Sequence, residues 1–192
     1  MKAKNNNNST TFFIVTTLSI ITIAAVLTSI TYLSFATTIV FAVHGGEGSQ
    51  QKFTAQLSGD QEVPPIRTSA SGIAWFKPMQ DNIWFKVNVT NIQGVTMAHI
   101  HSGKQGENGP PIVPIYKSET PSGQMSGILA KGNITADTFQ GPMAGKQIPD
   151  LITAMQNGET YVNIHTQQNP DGEIRGQIMM SNSTNDKMMM MK

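Results

Sequence analysis

From Phe53 to Ile178 the chain alternates apolar and polar residues with a period of two. "FTAQL" sets Phe53, Ala55 and Leu57 against polar neighbours, and "IWFKVNVTNI" sets Ile83, Phe85, Val87 and Val89 against Trp84, Lys86, Asn88 and Thr90. Alternation of this kind marks half-buried strands. Further strands are predicted at "GIAWF" (72–76), "PIVPIY" (111–116), "GILAKGNI" (127–134), "TYVNIHT" (160–166) and "EIRGQI" (173–178), and "VTMAHIH" (95–101) can be read as one more. The segments between them, such as "KPMQDN", "GKQGENGPP", "TPSGQ" and "QQNPDG", are rich in turn residues. Short strands with frequent turns predict an all-β antiparallel sandwich or barrel. One short helix is expected in "IPDLITAMQNG": Pro149 suits the first turn, Leu151, Ile152 and Met155 share a face, and Gly158 suits the position after the last turn.

The pattern changes at the front. From Thr11 to Val43 there is no Asp, Glu, Lys, Arg or His, while Lys2 and Lys4 precede the run. A positive flank and a long apolar segment read as an export signal or a membrane anchor, forming a hydrophobic N-terminal helix. The run exceeds both the ~7–15 residues of a signal core and the ~20 needed to span a bilayer. Ala42, two positions after Val40, would suit a signal peptidase. In either case the lysines stay inside and the remainder is exported, to the outer face of the membrane or beyond. The chain thus divides into a signal peptide or anchor (1–43), a polar Gly-rich linker (44–52), a folded domain (53–179) and a disordered Met-rich tail (180–192). The thioethers of Met188 to Met191 are soft and can hold Cu(I), but a frayed low-complexity end is the better account of them.

Charge and composition narrow the function. Of 13 basic residues two lie in the leader, against 12 acidic ones, so the exported part is almost neutral. That gives no electrostatic footprint for nucleic acid. The absence of cysteine excludes disulfides and thiolate sites. No nucleophile elbow is present, and "GPMAGK" lacks the length and the hydroxyl residue of a phosphate-binding loop.

Three of the four histidines fall in strand frames. On a strand, positions i and i+2 share a face, so His99 and His101 stand side by side, about 7 Å apart at Cα. In "VNIHT", Val162 and Ile164 form one face and Asn163 and His165 the other. If the two strands are neighbours, three imidazoles meet on one sheet face and can hold zinc or copper. Glu62, Asp171 and Glu173 are candidate fourth ligands or outer hydrogen-bond partners. Ligation needs neutral imidazole, so uptake is expected to fade below pH ~6.5. The competing account is that these histidines bond neighbouring carbonyls and pin loops.

"FTAQLSGDQEVPP", "SGIAWF", "MAHIHSGKQGENGPPIV" and "GETYVNIHTQQNPDGEIRGQI" together resemble the chordin-type (CHRD) domain, over roughly Phe53 to Met179. The resemblance implies an extracellular protein of the kind that also occurs as a lone domain in microbial exported proteins. It implies an immunoglobulin-like or superoxide-dismutase-like β-fold, and the strand-borne H-x-H is similar to the way that dismutase offers histidines to copper. With only His44 besides the three, a two-metal dismutase centre does not follow, and no enzymatic activity is assigned. Growth-factor binding does not follow either, because the cysteine-rich repeats that perform it are absent.

The motif residues also admit a structural role. Glu173 and Arg175 share a face, and Glu62 could form a bidentate pair with Arg175 if the first and last strands are close. Two functions therefore stand. One is a non-enzymatic binding or structural module for an unknown extracellular ligand or protein, held at the membrane by its N-terminal segment. The other is a copper or zinc domain built on His99, His101 and His165.

Overall fold

The computed structural model describes residues 51–181, within the unit that runs from His44 to Lys192. The hydrophobic helix expected at the front, His44 and the methionines from Met188 lie outside the described residues. Among the described residues no helix is long and apolar enough to cross a membrane.

Nine strands form among the described residues: β1 Phe53–Ser58, β2 Ser71–Pro78, β3 Ile83–Ile92, β4 Val95–Ser102, β5 Pro111–Lys117, β6 Met125–Ile134, β7 Thr160–Thr166, β8 Ile174–Gln177 and β9 Met179–Met180. The helix α1 spans Ile148–Gln156. All ladders are antiparallel, in the order β5-β4-β7-β8-β1-β2-β3-β6, with β9 also on β1. The outer members β5 and β6 return alongside each other, so the single sheet curls into a nearly closed barrel. β5 carries Pro111 and Pro114, which a strand paired on one side only in this ladder order tolerates.

The interior is the alternating set. Phe53, Ala74, Ile83, Val87, Ile100, Val162 and Ile164 are wholly buried. The helix contributes Ile148, Leu151 and Met155; its start is held by a capping box between Gln147 and Asp150. Gly158 follows its end with φ 66°, a conformation that favours glycine. Met179 and Met180 pair with Thr54 and Phe53. Both are exposed, and two residues are too few to display a period.

β7 is buried along its whole length. Val162 and Ile164 face the core. Tyr161, Asn163 and His165 face outward, yet are covered: Gly109 of the β4–β5 connection (103–110) bonds Tyr161, Glu62 of the β1–β2 connection (59–70) lies on Asn163, and Pro170 of the β7–β8 connection (167–173) bonds His165. The first two of these segments are joined to each other, since the Asn108 amide donates to the Val63 carbonyl at 2.7 Å. The sheet thus carries a second, polar layer on its outer face over β4, β7 and β8.

Candidate metal centre

The outer layer follows from register. In the β4–β7 ladder Met97 faces His165, His99 faces Asn163 and His101 faces Tyr161. In the β7–β8 ladder Asn163 faces Arg175 and Tyr161 faces Gln177. Because the strands are neighbours, His99, His101 and His165 meet on one face. Their ring centroids form a near-equilateral triangle of 5.7, 5.4 and 5.6 Å. One potential ligand nitrogen from each lies within 4.8 Å of the others.

Hydrogen bonding identifies those nitrogens. The His101 Nδ1 lies 2.9 Å from the Gly109 carbonyl, and the His165 Nδ1 lies 2.9 Å from the Pro170 carbonyl. A carbonyl only accepts, so each Nδ1 carries the proton and each Nε2 keeps a lone pair. Those two Nε2 atoms and the His99 Nδ1 are buried without a hydrogen-bond partner. An imidazole whose far N–H is fixed on a carbonyl is the arrangement that orients a metal-ligating histidine.

Electrostatics keep the rings neutral. Burial pushes the His99 imidazole down to about 4, with His165 and His101 adding to the effect. His101 is also lowered, chiefly by burial, against the raising effect of its Gly109 bond, with further lowering from His165 and Arg175. His165 is lowered by burial, partly opposed by the Pro170 bond and by Asp171. Three neutral, converging nitrogens can hold a cation; protonated ones could not.

The other predicted residues divide by role. Glu173 is spoken for: its carboxylate accepts from Thr68 (2.7 Å), Thr166 (2.7 Å) and Asn169 (3.3 Å). Asp171 acts on His165 through its charge and on Asn163 through its backbone carbonyl, which accepts at 3.3 Å. Arg175, 2% exposed, does not hydrogen-bond to Glu62 as expected. It donates to Asn108 Oδ1 and to the carbonyls of Lys104 and Glu107, and its guanidinium lies 3.5 Å over the Tyr161 ring. β1 and β8 are indeed adjacent, with Ser58 opposite Arg175. The β4–β5 connection, however, folds over the guanidinium and supplies its acceptors first.

Glu62 instead sits over Asn163, in a long 3.5 Å contact that leaves its Oε1 unpaired. Burial raises its carboxyl to about 7, with Arg175 and then Asn163 pulling the other way. Gly172 makes room for this approach, since a Cβ there would come within 2.7 Å of the Glu62 Oε1. The raised value means that stability from this carboxyl is full below about 4.5 and is lost as pH rises through about 7. Glu62→Gln, neutral throughout, is therefore expected to melt higher than the natural protein at pH 8 and within error of it at pH 4, in the absence of metal. Equal loss at both values would show that the carboxyl is not a source of alkaline instability.

Tyr161 was not picked out from the sequence, although it belongs to the same alternating face as Asn163 and His165. It stacks on His101 at 5.0 Å, and its hydroxyl bonds the Gly109 backbone. Met97 also belongs to the histidine face by parity.

Comparison with known proteins finds relatives by sequence. The family model described as "CHRD domain" matches residues 53–178. Chordin from Xenopus laevis is 27% identical over 142 residues, covering 69% of this chain and 13% of that protein. No solved structure matches the chain.

Proposed function

Given a chain that belongs to the CHRD domain family, we propose that it is an exported, non-enzymatic binding module whose outer sheet face holds one transition-metal ion, copper or zinc, through His99 Nδ1, His101 Nε2 and His165 Nε2. One observation carries the metal reading: three imidazole nitrogens are buried together with no partner, while the opposite nitrogens of two of the rings are fixed on carbonyls. Leaving three polar atoms unpaired in one place costs stability, at about 1–3 kcal/mol each, unless something fills the space between them. Drawing in from a spread of 4.8 Å, the nitrogens can reach an ion at about 2.0–2.1 Å. Export is supported by the charge-free run from Thr11 to Val43 behind Lys2 and Lys4.

The test is direct. Protein loaded with zinc or copper(II) and dialysed should retain about one ion per chain by elemental analysis. His101→Ala should abolish retention while the far-ultraviolet circular dichroism stays unchanged. Retention that is absent in the natural protein, or survives the substitution, overturns the metal reading.

A further inference from the structure

Three imidazoles leave a fourth position to fill, and the neighbouring carboxylates do not fill it. Glu173 is saturated by three donors and Glu62 faces Asn163. Among the described residues no Asp or Glu oxygen shares the 4.8 Å cluster.

Met97 is placed to supply it. It precedes His99 by two residues on β4 and therefore shares the outward face of His99 and His101. Ala98 and Ile100, of the opposite phase, are wholly buried in the core. Met97 also stands directly opposite His165 in the β4–β7 ladder, where facing Cβ atoms are about 4.5–5.5 Å apart. The register skips one residue between Val95 and Met97, and a bulge of this kind re-aims the side chains beside it. Met97 is only half-buried and belongs neither to the core nor to the apolar side chains packed on it, so core packing does not account for it. Its unbranched thioether has three rotatable bonds with which to reach over the histidines.

We infer that the Met97 thioether is the fourth ligand and that the site it completes is selective for Cu(I). This rests on the three-imidazole reading above. Zinc takes imidazole, thiolate and carboxylate, whereas thioether sulfur is a soft donor that favours Cu(I). Charge points the same way. Three neutral imidazoles and a thioether bring no negative charge of their own to a buried site where Arg175 acts on His101 and Asp171, of opposite sign, on His165. A monovalent ion costs less to desolvate there than a divalent one.

The experiment compares the full-length natural protein, Met97→Leu and His101→Ala under anaerobic conditions. Cu(I) affinity is read by competition with a chromophoric chelator, and zinc affinity in parallel. His101→Ala reports the Cu(I) held elsewhere, for instance by the other methionines, and is subtracted. Loss of outer-shell partners alone costs 10–100-fold in metal affinity, so removal of a direct ligand should weaken Cu(I) binding by about tenfold or more. Zinc affinity should stay within about twofold. X-ray absorption at the copper edge should show a sulfur neighbour in the natural protein that Met97→Leu lacks. Unchanged Cu(I) affinity, an equal fall for both metals, or no difference in sulfur signal would overturn the assignment of Met97 while leaving the three-imidazole site standing. Failure of the natural protein to hold either metal above His101→Ala would remove that site, and the Met97 assignment with it.

Discussion

Arg175→Ala is expected to destabilise the protein by about 3–5 kcal/mol, a loss at the upper end of what single substitutions produce. The guanidinium satisfies three acceptors, at 3.1 Å to Asn108 Oδ1, 3.0 Å to the Lys104 carbonyl and 2.8 Å to the Glu107 carbonyl. All three lie in the β4–β5 connection, which also presents the Gly109 carbonyl to His101. Removing the cation therefore unpairs acceptors, empties the face of Tyr161 and loosens the segment that orients one candidate ligand. Lysine should not rescue the loss, because a point charge cannot reproduce a planar fork that bonds three groups while lying on a ring. Chemical denaturation of the metal-free protein measures the effect. A loss below about 1 kcal/mol would mean that the covering loop is held by its other contacts.

The histidine face was legible in the sequence because it depends on one local rule, alternation, and on one non-local fact, that β4 and β7 are neighbours. Alternation in "MAHIH" and "YVNIH" also reaches Met97, one step before His99, and Tyr161, two steps before His165. What alternation cannot supply is the cover. Glu62 meets Asn163 across 101 positions, and Arg175 finds its acceptors 67 to 71 positions away. Those contacts depend on how two irregular connections fold over a sheet, and turn-rich segments carry no period from which to read it. This is why the expected Glu62–Arg175 pair gave way to a guanidinium held by backbone carbonyls. The helix, by contrast, was readable from local chemistry alone: Pro149 in its first turn, a buried Leu151–Met155 stripe and Gly158 beyond its end.

As pH falls from 6.5 towards 4, the metal-free protein should lose stability steeply, with unfolding taking up as many as three protons. The sign follows from burial. His99, His101 and His165 all have folded values below the ordinary 6.5, His99 at about 4. Between those limits the unfolded chain binds more protons than the folded one, so the stability they contribute is full above pH 6.5 and drains away below it. Glu62 works in the opposite sense between about 4.5 and 7, so Glu62→Gln exposes the histidine dependence unmasked. His101→Ala should reduce the proton uptake. The same burial alters the expectation for metal. A solvent-exposed set of histidines would release its ion as they titrate near pH 6.5, whereas rings already held neutral compete with protons only at lower pH. Half-release from folded protein is therefore expected well below pH 6.5, followed by dialysis across a pH series with circular dichroism in parallel. Release centred on pH 6.5 from a protein still folded would mean that the three rings titrate as exposed imidazoles, and that the buried, converging geometry is not the one that binds.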